Sequence, residues 1–493
     1  MKLKSLFEQS VLYTIGNIAN RVAGFALIPL YTSFLSPSEY GLMALVDLFL
    51  SLSVIALGIQ SIGGAMIRIF HDQEDPAARD RVISTATLLM VGLNILVILP
   101  VLGVAPWLSE LIFVEDSTPE HVELIRLAFV AMLPSNLVEL LLVHERLRGR
   151  ALFFVKYSLS QLVMTLSLNI LFIAYMELGV FGFVWSKLIA NGLGGGFLVL
   201  RTLPVLTRGF ERSAARRLLT FGSPLIVAGV AFFLIHFSDY FFLNRVRSTH
   251  DVGLYEFAYR FPFLVTFLVG EPFGRVWSVS LYDLAKSDEW KEQFVRVLSW
   301  LVYALTAVGL GISVFSDEII EIMARNPSFW AAAGVVPMLV LAYCLREVAD
   351  FFRNMLYLNK RSGTVGRIAL ACAIVNIVLN LLLIPAWGVE GAALCTLVTW
   401  ALYLAICLVE QRKEHNLQLP WLRYAALVLF SVGIAYASTQ VPTESWVVRL
   451  SGNTALVLLF FGVTVFATSY FSKHEKAALL AWIAEKRGGS KAD

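Results

Sequence analysis

Two polar stripes interrupt long apolar stretches of this sequence, and they hold the residues best able to do chemistry. Asn17, Asn20 and Arg21 stand at i, i+3 and i+4, so a helix carries them on one face. Lys187 and Asn191, at i and i+4, make a weaker second stripe. Neither stretch contains an acid. A cation in apolar surroundings without a local acid suits an anion: Arg grips phosphate oxygens in pairs, and Lys acts as a point charge. The competing role is interhelical glue, with Arg21 held by Asp47 of the following stretch.

Four further arginines lie near acids of their own stretch. Arg260 follows Glu256 by four residues, and Arg275 follows Glu271 by four. Asp350 lies four after Arg346 and three before Arg353. These spacings allow neutralisation within one helix; the alternative is that the four face a wet lumen together with Arg21 and Lys187. Asp47 and Asp239 have no obvious cation in their own stretch. A carboxylate in that position is a candidate for carrying a coupled ion. Asp239 lies three residues after His236, so a local hydrogen bond to His236 or to a nearby Tyr competes with that role. No phosphate-binding glycine loop and no metal-ligand spacing occurs, so neither a cofactor nor a metal is expected. The four cysteines sit singly in apolar runs and read as packing residues.

The elements that must hold these residues follow from composition. Fifty-eight per cent of the 493 residues are hydrophobic and 15% are charged, against about 45–50% and about 25% in soluble chains. Mean hydropathy is +0.73. Soluble enzymes and disordered chains are excluded, and a net charge of +3 speaks against a nucleic-acid partner. A membrane helix needs about 20 mostly apolar residues. The sequence predicts fourteen such helices, near 11–35, 40–67, 83–108, 123–143, 152–176, 180–203, 222–244, 252–280, 296–316, 331–358, 365–386, 389–410, 422–440 and 448–471. The fold class expected is therefore all-α and integral to the membrane. The start, MKLKSLFEQSV, runs into the first span without a cleavage site for a signal peptide.

With the N-terminus placed in the cytoplasm, 28 of the 39 Lys and Arg fall in inside segments, four in outside loops and seven within spans. That asymmetry puts both termini in the cytoplasm. No outer loop is long enough to hold catalytic groups, so an enzyme is not expected.

The chain also resembles itself. SEYGLMALVDLF at 38–49 matches HDVGLYEFAYRF at 250–261, aligning Gly41 with Gly253. LNILFIAYMELGVFGF from 168 matches LNLLLIPAWGVEGAA from 379, aligning Asn169 with Asn380, Gly179 with Gly388 and Gly182 with Gly391. Tight outer turns explain such glycines without any substrate contact. A six-helix unit repeated in the same orientation implies a pseudo-twofold axis along the membrane normal. The expected organisation is a six-helix lobe at 1–212, a second at 213–411, two appended membrane helices at 412–472 and a cytoplasmic amphipathic tail at 473–493.

The first span with its Arg, FLSPSEYGLMALVDLFLSL followed by LGIQSIGGAMIRIF, then FGSPLIVAGVAFFLIHFSDYFFL, DVGLYEFAYRF and WGVEGAAL together resemble the polysaccharide-synthesis flippases of the multidrug/oligosaccharidyl-lipid/polysaccharide superfamily. The resemblance covers nearly the whole chain. It implies fourteen helices, two six-helix lobes and a cationic cavity. It also implies a substrate, a polyprenyl-diphosphate-linked oligosaccharide moved from the cytoplasmic to the outer leaflet by alternating access for O-antigen, capsule or exopolysaccharide synthesis. Arg21 matches an Arg of the family's first helix, and Asp239 an Asp of its seventh; Tyr240 stands where the family often has Arg. Membrane lipid, H⁺ or Na⁺ and other polysaccharide-synthesis membrane proteins are the implied partners, and the bacterial cytoplasmic membrane the implied location. A peptidoglycan lipid-precursor flippase, a multidrug exporter of the same superfamily and a non-transporting scaffold of a polysaccharide-synthesis complex are the alternatives.

Overall fold

A computed structural model describes residues 24–56, 58–113, 118–415, 417–441, 445–467 and 470. Asn17, Asn20 and Arg21, most of the first span and the tail 473–493 lie outside the described residues. Among the described residues every regular element is a helix. In chain order these are α1 (Ile28–Phe34), α2 (Pro37–Ala56), α3 (Ile59–His71), α4 (Pro76–Ile112), α5 (Pro119–Leu147), α6 (Ala151–Asn169), α7 (Gly179–Leu206), α8 (Arg212–Val246) and α9 (Thr249–Tyr259). They continue with α10 (Glu271–Leu284), α11 (Trp290–Val314), α12 (Ser316–Met323), α13 (Val336–Leu358), α14 (Ser362–His415), α15 (Trp421–Ser438) and α16 (Trp446–Gly462). Single π-helical turns follow α6 (Ile170–Tyr175), precede α10 (Thr266–Gly270) and follow α16 (Val463–Ala467).

Helix starts obey local chemistry. Asp75 accepts hydrogen bonds from the amides of Ala77 and Ala78, both at 3.1 Å, and Pro76 opens α4. Thr118 and His121 cap α5 reciprocally, again with a proline, Pro119, at the first helical position. Ser36 caps α2 and Ser248 caps α9 in one manner: the amide of Glu39 donates to Ser36 at 3.2 Å, and that of Asp251 to Ser248 at 3.1 Å.

Eleven helices among the described residues are long and apolar enough to cross a membrane. The sequence predicts fourteen, and the difference has identifiable sources. The first span is described only from residue 24, leaving the short apolar helix Gly24–Phe34. α14 counts once although Gly388, at φ 57° and ψ −128°, breaks it internally. α8, 35 residues long, is not among the eleven. The predicted span 40–67 also differs in detail, because Gly58 in the left-handed region (φ 67°) separates α2 from α3.

The chain divides into two compact units. One comprises Met1–Phe257, Glu321–Ala332 and Gly366–Thr399; the other comprises Ala258–Ile320, Ala333–Val365 and Trp400–Asp493. In the first, Met66 and Phe70 of α3 pack with Ile83 and Met90 of α4 and Leu140 of α5. In the second, Trp277 stacks on Phe351 with ring centres 4.4 Å apart, and Phe294 lies 4.6 Å from the same ring. Membrane helices gain little from burying apolar groups against one another, so such close packing does much of the work of holding them together.

Candidate functional site

Three polar constellations interrupt the apolar interior. The first is a groove in the first unit between α2, α5 and α7. The Lys187 ammonium lies 2.6 Å from the Asp47 carboxylate and 4.3 Å from the centre of the Phe183 ring. Both charged side chains are half-exposed, and both line a cavity of about 380 Å³ that also meets Ser135, Asn136, Glu139 and Asn191. A second cavity of about 200 Å³ continues past Asn136 and Glu139 to Gly63, Gly64 and Arg146. Lys187 and Asp47, neither of which has a partner in its own stretch, partner each other across helices. The pair joins positions 140 residues apart, so spacing within one helix could not reveal it.

Behind this groove the polar side chains are tied down. Gln161 donates to Asn191 at 3.0 Å, Asn191 donates to Ser135 at 3.0 Å, and Asn136 donates to Asn94 at 2.8 Å. Asn94 in turn donates to the Met90 carbonyl at 2.8 Å. Amides in α4, α5 and α7 thus bind their helices together, as buried polar residues do in membrane bundles. Glu139, Asn136 and Ser135 were not singled out from the sequence. The signal was present, since three polar residues share one face of an otherwise apolar stretch.

The second constellation surrounds Asp239, which is fully buried in α8. Its carboxylate accepts hydrogen bonds from Asn380 (2.6 Å), Tyr255 (2.8 Å) and Thr396 (2.7 Å). Ser238 donates to Asn376 at 2.7 Å, and Asn376 to Thr399 at 3.1 Å. Among the described residues no cation stands at ion-pair distance from Asp239. Of the local bonds expected, the one to a Tyr is present, and it comes from Tyr255. The Asn380 side-chain oxygen is buried and has no hydrogen-bond partner among the described residues. Tyr240 donates to Glu256 at 2.8 Å.

The third constellation lies in the second unit. Arg275 pairs with Glu271 at 3.5 Å and Arg353 with Asp350 at 2.8 Å, as their spacings allow. Arg346 lies over the rings of Tyr343 (5.1 Å) and Trp400 (5.6 Å), so Asp350 takes Arg353 as its close ion-pair partner. Arg260 is half-buried in the same unit. Arg21, Asn17 and Asn20 lie outside the described residues.

A multi-pass, all-helical membrane protein is the class that these long apolar helices define. A solved structure of the lipid II flippase MurJ in an inward closed conformation matches at a TM-score of 0.75 and 13% identity, covering 92% of this chain and 98% of that one. A multidrug resistance MATE family transporter of the MOP superfamily, in an inward-facing conformation, matches at 0.61 and 15% identity, covering 81% and 94%. At those identities the likeness is one of fold. The model of the polysaccharide biosynthesis protein family matches residues 32–327, more than half of the chain, and the chain belongs to that family. It is similar to the probable flippase AglR of Haloferax volcanii, 26% identical over 419 residues, which are 81% of this chain and 82% of that protein. It is also similar to the probable low-salt glycan biosynthesis flippase Agl15 of the same organism, 24% identical over 265 residues. That alignment covers 52% of this chain and spans about half of Agl15, 54% of its length.

Proposed function

We propose that this flippase carries a polyprenyl-diphosphate-linked oligosaccharide from the cytoplasmic to the outer leaflet of the cytoplasmic membrane, by alternating access, for assembly of a surface glycan. The observation that carries the reading is the groove where Lys187, paired with Asp47, opens onto a cavity inside a membrane-spanning bundle. A diphosphate cannot cross about 30 Å of hydrocarbon bare. A lumenal cation offsets its desolvation, while the prenyl tail remains in lipid. An inside-negative potential favours outward movement of anions by about 2.3 kcal/mol per charge per 100 mV.

The proposed architecture has fourteen crossings in two six-helix lobes, 1–212 and 213–411, with two helices appended at 412–472 and both termini in the cytoplasm. Repeat-related detail supports it. Ser36 and Ser248 cap equivalent helices. Asn169 accepts from Tyr31 of α1 at 3.1 Å, and Asn380 donates to Asp239 of α8, so each copy ties its fifth helix to its first. Gly179 and Gly388 both adopt left-handed backbone, at φ 52° and 57°.

Asp239 is the proposed coupling carboxylate, for H⁺ or Na⁺. The buried Asn380 oxygen, without a donor among the described residues, supports this, since such an orphan costs about 1–3 kcal/mol unless something binds it.

Purified protein in liposomes, with a fluorescent short-chain prenyl-diphosphate oligosaccharide in the outer layer, tests the reading. Flipping of that probe is expected, with lipid II and an amphipathic drug cation as comparison cargoes. Arg21→Ala is expected to lower flipping about tenfold or more at unchanged abundance, a loss of roughly 1.4 kcal/mol of transition-state stabilisation. The fold likeness to the lipid II flippase favours lipid II as the second reading, and preference for lipid II would replace the first.

A further inference from the structure

The groove of the first unit holds more acid than a phosphate site can use. Its two cavities, about 380 and 200 Å³, meet at Asn136 and Glu139. Around them stand two cations, Lys187 and Arg146, and two carboxylates, Asp47 and Glu139. That is formally neutral. A site built only for a diphosphate would not spend an acid at each level. Glu139 is the more telling of the two. It is exposed to the groove on a helix long and apolar enough to cross the membrane; among the described residues it has no hydrogen bond or close ion pair, and Arg146 on the smaller cavity is the cation that acts on it electrostatically. An ionised side chain at the centre of such a helix costs about 2.5–3.5 kcal/mol, so it persists where water or a ligand meets it.

We infer that this groove is a carbohydrate subsite, in which Glu139 and Asp47 accept hydroxyl groups of the sugars nearest the phosphate while Lys187 takes a phosphate oxygen. The inference rests on the substrate class proposed above and says where the neutral part of that substrate sits. Sugars present many hydroxyls, each a donor and an acceptor, and carboxylates and side-chain amides answer them with planar, directional oxygens and N–H groups. Here those groups are Glu139, Asp47, Asn136 and Asn191, with Phe183 offering an apolar wall. The larger cavity falls in the size range of about 300–1,000 Å³ of small-molecule sites. The wall is fixed in advance, because Asn191, Ser135 and Asn136 are already hydrogen-bonded between helices. Asp47 holds the Lys187 ammonium; an arriving phosphate oxygen replaces it there, and the released carboxylate turns to a hydroxyl.

The test uses the full chain in nanodiscs carrying Ser51→Cys, a small exposed position lining the larger cavity, with the native chain as labelling control. Two water-soluble probes are compared: a short prenyl diphosphate bearing a disaccharide, and the same prenyl diphosphate without sugar. The disaccharide probe is expected to slow maleimide labelling of Ser51→Cys about tenfold, and the bare probe hardly at all. Glu139→Ala is expected to abolish the sugar-dependent protection. Glu139→Gln, which keeps an acceptor oxygen and the volume, is expected to retain part of it and guards against misfolding as the cause. Equal protection by both probes, or none by either, overturns the inference. So does a Glu139→Gln chain that keeps full protection but loses its response to a pH gradient, since Glu139 would then be a proton carrier. Failure of the native chain to flip the prenyl-diphosphate oligosaccharide in liposomes would instead sink the function proposed above, a separate result.

Discussion

Under the proposed function the Lys187–Asp47 contact serves both stability and transport, and mutation separates the two. Truncating one side leaves the other charge without its partner, which costs modestly because both side chains are half-exposed to the groove. Lys187→Ala is therefore expected to lower both thermal stability and flipping. Asp47→Ala added to it removes the orphaned acid and is expected to restore stability, yet flipping stays absent because the cation is gone. Recovery of flipping in the double variant would make Lys187 a structural residue. Asp239 belongs to the same scale. Three donors converge on its carboxylate, and two of them are hydroxyls that can rotate to accept instead. Asp239→Asn is thus expected to fold, to keep flipping without a gradient, and to lose about tenfold of gradient-driven flipping in liposomes. Unchanged dependence on pH and Na⁺ gradients would remove it from coupling. Of these residues, Asp239 and Lys187 were legible as charges in apolar stretches. Their partners were not, because Asn380 and Thr396 lie more than 140 positions from Asp239, and sequence spacing speaks only of neighbours on one helix.

At the scale of elements, the repeat was legible but the job of its glycines was only half so. Gly179 and Gly388 do sit in turns that need left-handed backbone, as tight connections demand. Gly41 and Gly253 instead lie within α2 and α9 and press the two backbones together. A Cβ on Gly41 would stand 2.9 Å from the Gly253 amide nitrogen, and one on Gly253 would stand 3.0 Å from that of Gly41. Each would also collide with the carbonyl oxygen four residues before the other glycine, at Thr249 and Pro37. The contact is thus reciprocal between the two repeat copies, a relation that no pattern along one chain segment reveals. Backbone cannot yield as a side-chain tip can. Gly41→Ala and Gly253→Ala are each expected to destabilise by about 1–3 kcal/mol, the range for overpacking. Because they strain one contact, the double variant is expected to lose less than the sum. Thermal unfolding in detergent measures this; simple additivity would mean that the two glycines are not coupled.

For the whole molecule, the question is how often the chain crosses the bilayer, and α14 decides it. Its 54 residues at about 1.5 Å each would reach about 80 Å as one straight helix, against a hydrocarbon core of about 30 Å. Gly388, with ψ −128°, interrupts it near the middle, and Gly391 packs where a Cβ would meet the amide nitrogen of Ile384 at 3.2 Å. The stretches on either side of that break are each long enough for one crossing. Composition foretold apolar spans on both sides of this turn, because Trp387–Gly391 (WGVEG) separates two runs rich in Leu, Ile and Ala. The parity of the chain follows. From the exposed Lys286 to the exposed Thr439 there are then five crossings: α11, the stretch Pro327–Leu358, two from α14, and α15. An odd number puts the two positions on opposite faces, whereas a single passage by α14 would put them on the same face. Lys286→Cys is expected to react with an impermeant maleimide only after the cytoplasmic face is opened, and Thr439→Cys in sealed cells. Three of the native cysteines are buried and the fourth, Cys344, is half-buried, so the background is low. Labelling of both positions from one side would undo the two-pass reading of α14, and with it the proposed even number of crossings on which the proposed cytoplasmic placement of both termini rests.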